Sequence, residues 1–311
     1  KVTGAWITPS TDILRNTGTP SLKALADKFH MEPDRERGEA GFMQRRSQTE
    51  GKMYNQFQDI LDNSTEAQRK AAIDELQSML PPTTKIGMAI RNMLDGMYDY
   101  MSEAGVKNSV VENNKVVWKP VQRVADYFPR VWDRNVVRQR EAEFKELLKT
   151  EGNMNDTEAT AIVKTILQGD GLLDLAESER HIGFTPYSSA VKNRGLTFIK
   201  QQNAAKFAEF QNKDLVHVIQ TYIRQAVHRG EYARYFGNDG EVIKQALEKA
   251  KLEGASEKEV LDAARAVRAM EGTLGAEINP RLRDVFNAAV GYENIVLLPF
   301  ALFSSLIDPL G

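Results

Sequence analysis

One stretch, Asp214–Gly237 (DLVHVIQTYIRQAVHRGEYARYFG), limits the folds open to this chain more than any other. Leu215, Val218, Ile219, Tyr222, Ile223, Ala226 and Val227 recur at three-and-four spacing, which puts them on one face of a helix. Arg224, Arg229 and Arg234 fall largely off that stripe, and Gly237 stands where such a helix stops. At about 1.5 Å per residue the helix spans on the order of 35 Å, too long for a linker and too amphipathic to stand free. It needs packing partners, and the rest of the chain reads as those partners.

Most of that remainder is helical in pattern. Ser21 reads as the cap of a helix through Phe29, and further helices are expected over Phe42–Leu61, from Ser64-Thr65-Glu66 to Leu80, and over Thr84–Ala104. In the third of these Ala71, Ala72, Leu76 and Leu80 are expected to point inward, and Pro81-Pro82 ends it because proline lacks the N–H a helix needs. Met88, Met93, Met97 and Met101 recur at helical spacing in the fourth, a pattern of adaptable core. Later helices are expected over Asn135–Thr150, Asp156–Gln168, Thr197–Phe210, Asp239–Lys251, Ser256–Glu271 and Asn279–Ala289, with Ser256 and Glu259 forming a capping box. The sole β signal is a short hairpin over about 106–118, where valine pairs flank Glu112-Asn113-Asn114-Lys115. The fold class is therefore mostly α, an elongated multi-helix assembly with at most one small hairpin. Its 311 residues divide into an N-terminal helical region, 1–119, and a second region, 120–311.

Several chemistries lack the residues they need. No cysteine is present, which removes disulfides, thiolate metal sites and cysteine nucleophiles. The four histidines are His30, His181, His217 and His228; the last two share a helix face but sit about three turns, roughly 16 Å, apart, too far to share an ion. HExxH, phosphate-binding glycine loops and GxSxG are all missing from the sequence. No cofactor and no metal are expected. A pair of carboxylates that meet in space stays open as a third reading, a cell-wall hydrolase.

With 41 basic against 43 acidic residues the formal charge is −2, so there is no global attraction to nucleic acid. Two local basic stretches, Arg123–Arg140 and Lys192–Lys200, read either as solvated faces or as phosphate-contacting stripes. The candidates for nucleic-acid contact are Arg123, Arg130, Arg134, Lys192 and Arg194. Between them Asp126–Asp133 (DYFPRVWD) packs three aromatics around Pro129-Arg130. That segment is either a hydrophobic plug joining two helical parts or a surface on which bases stack. Ile295–Ile307 carries no charge but falls short of the about 20 residues that a membrane-spanning helix needs. Leu297, Leu298, Phe300, Phe303 and Leu306 are thus candidates for a partner interface. That tail, with a first residue other than methionine, reads as part of a longer polypeptide.

Taken together, YFPRVWD, KNRGL, the Asp214–Gly237 helix and the terminal LLPFALFSSLIDPLG resemble a helical region of large phage and prophage polyvalent proteins and internal virion proteins. The resemblance covers about residues 120–311. It implies a non-enzymatic structural module of an ejection protein, packaged in the virion interior and delivered with the genome to the host envelope or cytoplasm. The partners it implies are other virion or ejection proteins in an oligomer, phage DNA and the host envelope. Any enzyme of such a giant, a peptidoglycan hydrolase or a virion RNA polymerase, would lie elsewhere in the parent chain. A nucleic-acid-binding helical module is the alternative.

Overall fold

In the computed structural model, residues 9–16, 18–29, 40–112, 115–168 and 203–270 are described. Chain contacts divide the protein into two units, Lys1–Ala266 and Val267–Gly311, and the first holds nearly all of these residues. The protein is mostly helical, as the periodicity predicts. Five helices come first: α1 (Pro9–Asn16), α2 (Pro20–Phe29), α3 (Phe42–Asp62), α4 (Glu66–Gln77) and α5 (Lys85–Glu103). An antiparallel hairpin of β1 (Lys107–Glu112) and β2 (Lys115–Pro120) follows, pairing Val110 with Val117 and Val111 with Val116. Next are α6 (Arg134–Gln139), α7 (Glu141–Thr150), α8 (Asp156–Gln168) and α9 (Ala204–Phe207), the last running into a 3-10 turn, Ala208–Phe210. The described part closes with α10 (Leu215–Phe236), α11 (Glu241–Leu252) and α12 (Glu257–Met270).

Local chemistry fixes most helix starts. Thr65 and Gln68 cap α4 reciprocally, the Thr65 hydroxyl accepting from Gln68 N–H and the Gln68 amide oxygen from Thr65 N–H. Thr84 caps α5 and Asp214 caps α10, each accepting backbone N–H bonds from the first turn. Ser256 and Glu259 form the expected box ahead of α12. Gly237 ends α10 at φ 80°, a left-handed angle that glycine adopts without a Cβ clash.

Three expectations need correction. Proline occupies the first position of α2, so Thr19 precedes the helix and Ser21 lies inside its first turn. There Ser21 donates from N and Oγ to Glu253, a carboxylate at the end of α11, so this terminus is held from across the sequence. Helix α4 stops at Gln77, where Met79 turns left-handed at φ 57°; Leu80 is consequently exposed, and so is Ala71, while Ile73 takes the inward place. The helix expected over Asn135–Thr150 is two, broken at Arg140 (φ −118°, ψ 38°), whose carbonyl starts α7. Of the helix expected over Thr197–Phe210, only the end is described, as α9 and its 3-10 turn. Asn279–Ala289 and the apolar tail lie outside the described residues.

Two cores result. The larger is built on α10, which packs against α3, α4, α5 and α11, and joins Phe57, Ile73, Ile90 and Met97 to Val218, Ile223 and Val227. Residues from both sides of position 120 share it, since Phe128 and Val131 also belong. The smaller core is the α6–α9 group, centred on Trp132, Phe144, Phe207 and Phe210. Between them runs Asp126–Asp133, and it acts as the plug: Phe128 faces one core and Trp132 the other, both buried. Backbone bonds from Asp133 N–H to Phe210 and from Asn212 N–H to Val131 fasten it to the segment leading into α10. Each fully buried aromatic contributes about 1.5–3 kcal/mol of transfer free energy.

Candidate functional site

Helix α10 departs from a simple amphipathic helix in its middle. From Gln225 to Tyr232 every residue is buried, polar ones included, because α10 is surrounded rather than laid on a surface. Arg229, expected off the apolar stripe, is therefore buried as well, while Arg224 and Arg234 stay exposed. The most demanding member is Glu231, 0% exposed. A buried carboxylate is unfavourable unless it is paired and hydrogen-bonded. Its Oε1 accepts from the Tyr100 hydroxyl at 2.7 Å and from Thr49 Oγ1 at 3.4 Å, and Arg45 Nε lies 3.2 Å from Oε2. One carboxylate on α10 thus binds α3 and α5 together. Burial and the neighbouring Glu231 carboxylate push the Tyr100 phenol up, so it stays protonated as the donor. Gly230 makes the approach feasible, since a Cβ there would stand 2.5 Å from Tyr100 Cε1.

Above this cluster opens a cleft of about 620 Å³ between α3 and α5, with Arg234 of α10 at one end. Arg45 near the start of α3 and Tyr100 near the end of α5 meet the same carboxylate, so the two walls run antiparallel. The α3 wall is Arg45, Thr49, Lys52 and Gln56. On the α5 wall stand Asn92, Gly96, Asp99 and Glu103. Met93, half-buried, lies in the floor of the cleft beside Met53 and Met97, which are buried in the larger core. The Arg234 guanidinium lies 5.1 Å from the Tyr100 ring centre, a cation–π contact that closes that end. Asp99, Glu103 and Glu231 are carboxylates of a single cleft, but Glu231 is enclosed by Arg45, Tyr100 and Thr49 and offers no exposed oxygen.

Among the described residues, the basic side chains singled out in the sequence do not assemble into a stripe. Arg130 is 6% exposed, with Nη2 donating to Met79 Sδ at 3.0 Å. Arg134 donates from Nη2 to the carbonyl of Leu167 at 2.8 Å, tying α6 to the end of α8. Arg123 is exposed, pairs with Asp95 at 3.3 Å and lies over the Tyr98 ring at 5.4 Å. Arg140 holds Glu143 and Glu209 and covers Phe210. Lys192, Arg194 and the tail candidates Leu297, Leu298, Phe300, Phe303 and Leu306 lie outside the described residues. So do His30 and His181.

Of the other histidines, His217 is exposed near the start of α10. His228 is buried in an aromatic cluster, edge-on to Phe42 at 5.7 Å and stacked on Tyr232 at 5.9 Å. Burial, with Arg46 and Arg229 nearby, pushes its imidazole down to about 3, so it is neutral. Among the described residues no group of histidines and carboxylates is placed to hold a metal ion, and no helix is long and apolar enough to cross a membrane.

The cleft was not found from sequence. Its signal was present: Arg45, Thr49, Lys52 and Gln56 stand at i, i+4, i+7 and i+11, and Asn92, Gly96, Asp99 and Glu103 repeat that spacing. That is also the spacing of any solvated helix face, and only the fold shows that the two sets flank one groove. Comparison with known proteins finds no family model, no curated protein and no solved structure that matches the chain.

Proposed function

We propose that this chain is a non-enzymatic structural module, and, following the resemblance of residues 120–311, a module of a phage internal virion protein delivered with the genome. One observation carries the structural role. The charged groups best placed for chemistry or for phosphate are used inside the protein to fasten helices to one another. Glu231 holds α3, α5 and α10 together, Arg130 is enclosed against Met79, and Arg134 ties α6 to α8. A carboxylate enclosed by an arginine, a tyrosine and a threonine is positioned to specify helix packing and not to exchange protons with a substrate. The virion setting follows from the resemblance alone.

Two measurements on the purified protein test the module. Incubation with purified peptidoglycan is expected to release no soluble fragments, and turnover there would replace the structural reading with a hydrolase. Sedimentation velocity is expected to show concentration-dependent self-association that Phe300→Asp with Phe303→Asp abolishes. A monomer at all concentrations would remove the assembly role.

A further inference from the structure

We propose that the cleft between α3 and α5 docks an amphipathic helix from a partner protein, about three turns long, acidic along one flank and basic along the other. Three features of the cleft lead to this occupant. The first is period: each wall presents four residues at i, i+4, i+7 and i+11, over about 16 Å, the repeat that keeps a seam facing a neighbouring helix. The second is charge. Arg45 and Lys52 stand on the α3 wall, and Asp99 and Glu103 stand on the α5 wall, so the two sides of the groove carry opposite signs. Neither a simple anion nor a simple cation matches both walls. A helix with opposite charges on its two flanks does, by placing its acidic flank against α3 and its basic flank against α5.

The third feature is shape. Gly96 sits on the α5 wall with no atom within 4 Å of the position its Cβ would occupy, so the groove is open over it. Met93, half-buried beside it, offers an adaptable apolar contact for the seam of an incoming helix, while Met53 and Met97 behind it belong to the larger core. The opening is concave, which suits a convex helix. A second copy of the same groove would meet it concave to concave and leave Met93 uncovered. The proposal rests on the non-catalytic reading in one respect: the cleft holds its partner and performs no chemistry on it.

The test uses three synthetic peptides of three heptads, long enough to hold a helix on their own, whose central three turns carry the same leucine seam and the flanks to be tested. One has glutamate on one flank and lysine on the other, one has glutamate on both, and one has lysine on both. Binding to the whole protein is followed by fluorescence anisotropy, and the peptide is recovered and weighed afterwards by mass spectrometry. The mixed-flank peptide is expected to bind at least about tenfold more tightly than either other peptide. Gly96→Leu, which fills open space on an exposed helix position, is expected to abolish binding with the melting temperature unchanged or raised. Asp99→Lys with Glu103→Lys is expected to move the preference to the all-glutamate peptide. No binding, equal binding of the three, or a wild-type preference for a single-sign peptide overturns the proposal. Self-association that Gly96→Leu dissolves would overturn it in favour of a second copy. Peptide that binds and is recovered cleaved would instead defeat the non-catalytic reading and leave the groove in place.

Discussion

Arg45 is 48% exposed and Glu231 is 0% exposed, and this asymmetry makes an outer residue the sensitive member of the pair. Removing Glu231 frees an arginine that reaches water. Removing Arg45 leaves a carboxylate with no route to solvent and only the Tyr100 and Thr49 hydroxyls for compensation. Breaking a fully buried pair from one side costs about 3–5 kcal/mol. Because Arg45 is partly solvated, the screened end of that range applies, and Arg45→Met is expected to cost about 2–3 kcal/mol. Replacing both charges by apolar groups of similar volume is close to neutral apart from the stranded Tyr100 hydroxyl, about 1 kcal/mol. Arg45→Met with Glu231→Met is therefore expected to be more stable than Arg45→Met alone. Urea unfolding followed by tryptophan fluorescence supplies the three free energies and a double-mutant cycle. An Arg45→Met variant within about 0.5 kcal/mol of the parent, or a double variant less stable than both single ones, would refute the reasoning.

Acid should weaken the fold through His228, whose folded value of about 3 lies below its ordinary 6.5. The unfolded chain binds the extra proton, so this stability is complete above pH 6.5 and is lost as pH falls toward 3, by about 2 kcal/mol at pH 5. His228→Phe is expected to flatten the urea-midpoint slope between pH 6.5 and 5. Below pH 4.5 Glu75 adds a loss of the same sign: burial pushes its carboxyl up, but the hydroxyls and N–H groups of Thr84 and Thr83 bring it down to about 2. Two helical glycines should respond oppositely to alanine in thermal melts. Gly51→Ala meets open space and should stabilise by about 0.5–1 kcal/mol, whereas Gly230→Ala drives a Cβ into the Tyr100 ring and should destabilise. Trp132→Ala removes the shared side chain of the smaller core and should cost about 3–5 kcal/mol, read from the same unfolding assay.

What the sequence disclosed follows the range of the interactions concerned. The caps at Thr65, Thr84, Asp214 and Ser256 act within three residues, and the helices start where those side chains place them. The hairpin near Lys107–Pro120 and the end of α10 at Gly237 are local for the same reason. What escaped is non-local. Arg229 falls off the apolar stripe of its helix, yet it is buried, and its guanidinium faces the Lys107 carbonyl at 3.5 Å. Arg130 looked like a phosphate contact until the chain brought Met79 beneath it. Glu231 draws on Arg45 and Tyr100, residues from α3 and α5 that no spacing within α10 reveals. Ser21 was read as a cap, and its actual partner, Glu253, lies across the sequence.

The most direct test of the structural account is DNA binding by the purified protein at low and moderate salt, compared with Arg130→Ala and Arg134→Ala. The account predicts no salt-sensitive affinity, with both substitutions lowering stability because both guanidiniums are engaged within the fold. Tight binding at low salt that falls steeply as salt is raised, and that Arg130→Ala or Arg134→Ala weakens without loss of stability, would contradict it.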